Sequence, residues 1–196
     1  MNKLVIKQQE FNGLVSKLCR DIVNSGWRPD YIVGLTRGGL VPAVMISQYL
    51  EIPMHALSVS LRDSDTGPES NLWMAEDALG PRTRERIVDD ANDIAGILQA
   101  ANSLLEEGST YKNILIVDDI NDTGATLNWI MQDWASGCFP DDPAWEEVWN
   151  QNVKFAVVVD NLASKCATKM DYVGMEVNKA ENDVWIDFPW EDWWTK

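Results

Sequence analysis

Two aspartates, Asp118 and Asp119, close an apolar run, Asn113-Ile-Leu-Ile-Val117, and lead into a turn, Asp122-Thr-Gly-Ala-Thr126. A buried strand of this kind delivers its last side chains to the carboxyl edge of an α/β sheet, where such sheets place ligands. A small-residue turn opening a helix aims backbone amides at an anion, and Thr123 and Thr126 add hydroxyl donors. The carboxylates beside it suit hydroxyl groups or a hydrated Mg2+ ion. One segment therefore offers a phosphate cradle next to a polyol or metal site, and a sugar phosphate fits both ends. The turn is not a nucleotide P-loop, because the lysine of G-x-x-x-x-G-K-[ST] is absent. A second glycine turn, Thr36-Arg-Gly-Gly39, follows the apolar run Tyr31-Ile-Val-Gly-Leu35.

Composition removes the competing chemistries. The only histidine is His55, so a Ser-His-Asp or Cys-His device has one residue to pass through. Cys19, Cys138 and Cys166 are far apart and odd in number, which argues against a disulfide framework or a Cys/His zinc site and for a reduced, cytoplasmic compartment. Sixteen Lys and Arg against 31 Asp and Glu give a formal charge of −15. Without a cationic stripe, nucleic-acid binding is not expected. The apolar runs are too short to span a membrane, and the N-terminal MNKLVIKQQEFNG has no signal-peptide core. Carboxylates, backbone amides and a divalent ion remain.

The elements that position these groups follow from periodicity. Phe11, Leu14, Val15, Leu18, Ile22 and Val23 have helical spacing, which predicts a helix over about Gln8 to Asn24. A strand at Tyr31–Leu35, a helix at Leu40–Leu50 and a strand at Met54–Ser60 follow. Arg62 to Pro81 is polar and turn-rich, and a loop this long in a compact domain is read as a flexible functional loop at about 61–80. The 3,4 stripe Ile87, Ala91, Ile94, Leu98, Ala101, Leu105 predicts an amphipathic helix over about 81–107. A strand through Val117, a helix over Ala125–Ser136, a short helix opened by Asp142-Pro143, and strands at Val153–Val159 and Val184–Phe188 complete the chain. At 196 residues this is one domain, α/β, with a mostly parallel central sheet flanked by helices and a small C-terminal hood from about residue 160 onward.

Val117-Asp-Asp-Ile-Asn-Asp-Thr-Gly-Ala-Thr126 resembles the phosphoribosyl-pyrophosphate (PRPP) signature of type I phosphoribosyltransferases: an apolar strand, two acids, two variable positions, then D-T-G-x-T. Gly34-Leu-Thr-Arg-Gly-Gly-Leu-Val-Pro-Ala43 is similar to the family's pyrophosphate loop, and the two motifs come in the family's order. The resemblance implies roles by position. Thr123, Gly124, Ala125 and Thr126 would hold the 5′-phosphate, and Asp118 and Asp119 the ribose hydroxyls and Mg2+. Asp122 would take or hold the proton of the attacking base nitrogen. Arg37 and Gly38 would contact pyrophosphate across a peptide that is often cis, and the loop at 61–80 would close over the site. The copy Ile87-Val-Asp-Asp-Ala-Asn-Asp93 lacks the glycine turn and is read as a solvated helix face.

The ending Val184-Trp-Ile-Asp-Phe-Pro-Trp-Glu191 resembles the W-x-x-x-P-W-[DE] tail of the family's purine enzymes, the xanthine-guanine members in particular. It implies that Trp185 stacks on the base and that Ile186 meets its edge through the backbone, while Trp190, Trp193 and Trp194 serve packing or an interface. The 6-oxopurine members carry a lysine just after the strand corresponding to Val153–Val159. Here that place reads Asp160-Asn161-Leu162, so Asn161 or the nearby Lys165 is the candidate reader of the exocyclic oxygen. The expected activity is Mg2+-dependent transfer of phosphoribosyl from PRPP to guanine, xanthine or hypoxanthine by a homodimer or homotetramer. A PRPP-sensing regulator of the same fold and an enzyme for orotate, uracil or adenine are the alternatives.

Overall fold

The computed structural model describes residues 2–59, 72–80 and 111–195. A five-stranded, all-parallel sheet has the order β3-β2-β4-β5-β6. It comprises β2 (Tyr31–Leu35), β3 (Met54–Leu57), β4 (Ile114–Asn121), β5 (Val153–Asn161) and β6 (Tyr172–Val177). Its central strands are nearly continuous apolar runs because helices cover both faces. Ile32, Leu115, Val117, Ala156 and Val158 point to one side, where α1 (Gln8–Asn24) and α2 (Leu40–Leu50) bury Phe11, Val15, Leu18, Ile22, Ala43 and Ile46. Tyr31, Val33, Ile114, Ile116 and Phe155 point to the other, against α3 (Leu72–Leu79), α4 (Ala125–Gly137) and α5 (Ala144–Glu147). The two-residue alternation along each strand divides the chain into two cores around one sheet.

Several boundaries move from their sequence-based positions. β4 continues past Val117 to Asn121 and pairs with β5 as far as Asn121↔Asp160, so Asp118 and Asp119 lie within the strand. The loop expected over 61–80 stops short. Leu72–Leu79 is a helix that buries Met74, Ala75, Ala78 and Leu79 in the second core, since its apolar residues fall on one face. The short helix after Asp142 passes into a π-helical turn, Val148–Asn152, and the Asp142 carboxylate accepts the Ala144 N–H at 2.9 Å. The predicted helix over 81–107, with the acidic copy at 87–93, lies outside the described residues, as do residues 61–71 of the loop.

Two strands were not foreseen. β6 reads Tyr172-Val-Gly-Met-Glu-Val177, a half-buried edge strand with no continuous apolar run. β1 (Asn2–Val5) pairs in parallel with β7 (Val184–Asp187) in the register Asn2↔Val184, Lys3↔Trp185, Leu4↔Ile186, Val5↔Asp187. Because β6 belongs to the main sheet, the hood expected from about residue 160 narrows to the β1–β7 sheet and the segment that follows it, and the N-terminal strand is part of it. Trp190 fastens it to the main body, stacking on Phe188 at 4.7 Å and meeting Phe11 of α1 edge-on at 4.8 Å. Among the described residues, no helix is long and apolar enough to cross a membrane.

Candidate active site

A cavity of about 1290 Å³ lies between the carboxyl edge of the sheet and the hood. Its floor is the end of β4 and the turn into α4: Asp118, Asp119, Asp122, Thr123, Gly124, Ala125 and Thr126 all line it. Thr36, Arg37 and Gly38 form one wall, and Trp185, Ile186, Phe188 and Trp190 form the hood side. The cis peptide in the wall turn joins Thr36 to Arg37, one bond earlier than the resemblance placed it.

The floor turn depends on glycine. Gly124 caps α4 with φ +83°, and a Cβ there would meet the Cys166 Cα at 2.7 Å and the Lys165 carbonyl carbon at 2.8 Å. No side chain caps the helix, so its first amides are left for an anion. The one local cover is long: the Ala125 N–H donates to the Thr123 hydroxyl at 3.3 Å. Gly124→Ala is expected to cost about 2 kcal/mol of stability, from the left-handed φ and the backbone collision together. Thermal unfolding of the variant measures this as a drop of about 4–8 °C.

The two strand acids are held close to the wall turn. A side chain at Gly38 would run into the Asp119 carboxylate, so glycine alone lets the two segments approach. Asp118 accepts the Asp119 N–H and Asp119 accepts the Ile120 N–H, each at 2.9 Å. Burial, and then the neighbouring Asp119 charge, raises the Asp118 carboxyl well above the ordinary carboxylate range, and burial raises Asp119 as well. Two desolvated acids side by side favour a shared proton, or a bound cation.

A divalent ion fits this arrangement through substrate rather than through an all-protein cage. Among the described residues, no group of three or more metal-ligating side chains is assembled. Asp118 and Asp119 supply two carboxylates, and Mg2+ commonly uses one or two together with phosphate oxygens and waters. The described lining carries Asp118, Asp119, Asp122, Glu191 and Asp192 against Lys3, Arg37 and Lys179. An accompanying cation would offset this excess of carboxylates for a polyanionic ligand.

The expected base readers are placed differently. Asn161 is 6% exposed and does not line the cavity. Its amide donates to the Asp122 carbonyl at 2.8 Å, and its oxygen accepts the Ala163 and Lys179 N–H groups at 3.1 and 3.0 Å. Lys165 is also outside the lining, and its main chain buttresses the floor turn. Its N–H donates to the Thr123 carbonyl at 3.1 Å, and its carbonyl accepts from the Asn128 amide at 2.9 Å. Both residues tie loops together, Asn161 through its side chain and Lys165 through its main chain.

A lysine outside the sequence-based candidates, Lys179 just after β6, does line the cavity. Its ammonium lies 2.9 Å from the Asp122 carboxylate, its side chain is 15% exposed, and it lines the cavity. Asn161 bridges the backbones of Asp122 and Lys179, so the ion pair is closed by a second linkage through β5. Lys3 of the N-terminal strand was likewise missed, and it lines the cavity from the hood. The sequence signal for Lys179 is the alternation Val173, Met175, Val177 of β6 just before it. Trp185 is 39% exposed on the hood wall, whereas Trp193 and Trp194 are 68% and 69% exposed. Trp194 joins the cavity lining as well.

Comparison with known proteins gives a consistent result. Residues 5–192 match the family model described as "Phosphoribosyl transferase domain". The chain is 23% identical over 203 residues to xanthine phosphoribosyltransferase 1 of Saccharomyces cerevisiae, covering 96% of this chain and 90% of that protein. It is 26% identical over 170 residues to the xanthine-guanine phosphoribosyltransferase of Cereibacter sphaeroides, covering 86% and 71% respectively. The crystal structure of a purine phosphoribosyltransferase from Pyrococcus horikoshii superposes with a TM-score of 0.58 at 22% identity, over 97% of this chain and 95% of that one. That likeness is one of fold.

Proposed function

The chain belongs to the phosphoribosyl transferase domain family, and from that premise we propose that it transfers phosphoribosyl from PRPP to a ring nitrogen of a 6-oxopurine, releasing pyrophosphate and a nucleoside monophosphate. The carrying observation is the joining, in one cavity, of the amide-lined turn and strand acids with Trp185 and the Asp122–Lys179 pair. The names of the relatives, which act on xanthine or on xanthine and guanine, support the choice of base.

In this reading the amides and hydroxyls of residues 123–126 hold the 5′-phosphate. Asp118 and Asp119 hold the ribose hydroxyls and, through them, Mg2+. Arg37 and the Gly38 backbone meet the pyrophosphate. Bound Mg2+ would supply neutralisation of the leaving pyrophosphate. Trp185 stacks on the base, and the Ile186 backbone meets its edge; stacking is tolerant of base identity, so polar groups must choose. Lys179 takes that role in place of Asn161 and Lys165. One of its three N–H donors faces Asp122, leaving others for a carbonyl oxygen. Loss of pyrophosphate builds oxocarbenium character at C1′, as in glycosyl transfer generally. Fixed placement of donor and base, with Asp122 accepting the proton of the attacking nitrogen, then accounts for the rate. No covalent nucleophile is required.

The test is a panel of free bases with PRPP and Mg2+, followed by absorbance. Oxopurines should be consumed, and adenine, orotate and uracil should not. Activity confined to those last three bases would overturn the reading, and so would binding of PRPP without turnover of any base. Lys179→Met should lower kcat/KM for oxopurines by about 10- to 100-fold, the scale of a lost hydrogen bond to a charged group. PRPP affinity, measured by calorimetry, should change little.

A further inference from the structure

We infer that Lys3, on the N-terminal strand, is a specificity-determining residue that donates to an oxygen at the purine 2-position, so that the preferred acceptor is a dioxopurine, xanthine. The inference rests on the proposed purine transfer and goes beyond it by assigning a second base reader and ordering the bases.

Register carries the argument. In the parallel pair β1–β7, Lys3 stands directly opposite Trp185. Directly paired residues of neighbouring strands place their side chains on the same face, about 5 Å apart at Cβ. Both residues line the cavity, so that shared face is the one turned toward the ligand. A base stacked on the Trp185 ring therefore has the Lys3 side chain beside it. The ammonium forms a long ion pair with Asp187 at 3.9 Å, beyond hydrogen-bond range, and with its side chain 58% exposed it keeps donors for a ligand.

The second cation near the base is on a different element. Lys179 follows β6 of the main sheet and is engaged by Asp122 at 2.9 Å, whereas Lys3 belongs to the hood. Two ammonium groups arriving from two sheets match a base with two carbonyl oxygens on separate edges. Xanthine presents oxygens at both the 2- and 6-positions. Hypoxanthine has only hydrogen at position 2, leaving Lys3 without a partner. Guanine carries an amino group there, which sets donor against donor. An analogue lacking the 2-oxygen forfeits this hydrogen bond, so the site discriminates by the worth of one charge-assisted contact.

Steady-state kinetics of the full chain with Mg2+-PRPP and xanthine, hypoxanthine or guanine test this, in wild type, Lys3→Met and Lys3→Arg. In wild type, kcat/KM for xanthine should exceed that for hypoxanthine by about tenfold or more, as expected for one charge-assisted hydrogen bond. Lys3→Met should erase most of that ratio, mainly through KM for xanthine, and Lys3→Arg should restore it. An unchanged xanthine-to-hypoxanthine ratio in Lys3→Met, with purine turnover intact, overturns the role of Lys3 alone. A rise in KM for PRPP with equal losses for every base also overturns it, placing Lys3 on the donor. Wild type inactive with all three purines overturns the purine reading itself.

Discussion

Asp118→Asn is expected to unfold at a higher temperature than wild type while losing PRPP binding by a factor of about 100 or more, the scale of a buried charge partner removed. The two effects share one cause. In the free protein, burial and the adjacent Asp119 raise the Asp118 carboxyl well above its ordinary value of 3.8. Between that ordinary value and the raised one, the folded protein binds more protons than the unfolded chain. Stability therefore falls as pH rises through this window, and the loss is complete above the folded-state value. The neutral amide removes the penalty, and relief of about 1 kcal/mol would raise Tm by about 2–4 °C for a chain this size. It should also flatten the decline of Tm with rising pH. If Mg2+-PRPP binds the ionised pair, as proposed, affinity should weaken as pH falls through the same window. Calorimetry in buffers of different ionisation enthalpy should register proton release on binding. A variant with lowered Tm, or with intact PRPP affinity, would contradict the assignment.

Asp122→Asn should separate binding from turnover. Its carboxylate opens the β4–α4 turn and lies 2.9 Å from Lys179. The amide is nearly the same size but accepts no proton. kcat should fall by about 10²- to 10⁴-fold, the range for loss of a general base. PRPP affinity by calorimetry should stay within about threefold, because the turn amides and strand acids remain. Equal loss of PRPP affinity and turnover would make Asp122 a donor-binding residue instead.

Both variants fall in the stretch most legible from sequence. An apolar strand, two acids and a glycine turn are contiguous between Val117 and Thr126, so local chain geometry brings them together without help from distant pairing. The same holds for the turn at Arg37 and Gly38, which follows β2 directly. The end of the cavity proposed for the base is different, because it is assembled by pairing. Lys3 reaches the cavity only because β1 adds to β7 across almost the whole chain, and nothing in MNKLV announces that partner. Lys179 is placed by β6, whose interrupted pattern hid the strand and thus its carboxyl edge. Asn161 and Lys165 stand at and just after the end of β5 in the sequence. Adjacency in sequence does not show that an amide will be consumed in joining Asp122 to Lys179, or that a lysine's main chain will be used as a brace.

The strong acidity acquires a local meaning from the cavity. Carboxylates outnumber cations in the described lining, as they do in the whole chain at −15. Such a field repels a bare polyphosphate, which makes a metal-chelated donor the form suited to enter. Removal of divalent ions with EDTA should accordingly weaken PRPP binding as well as abolish turnover.

The most direct measurement is a crystal structure of the protein with PRPP and Mg2+. Difference density should place the 5′-phosphate against the amides of residues 123–126 and the ribose hydroxyls against Asp118 and Asp119, with C1′ directed toward Trp185. Donor bound elsewhere, or a β4–α4 turn left bare at saturating PRPP, would contradict the account.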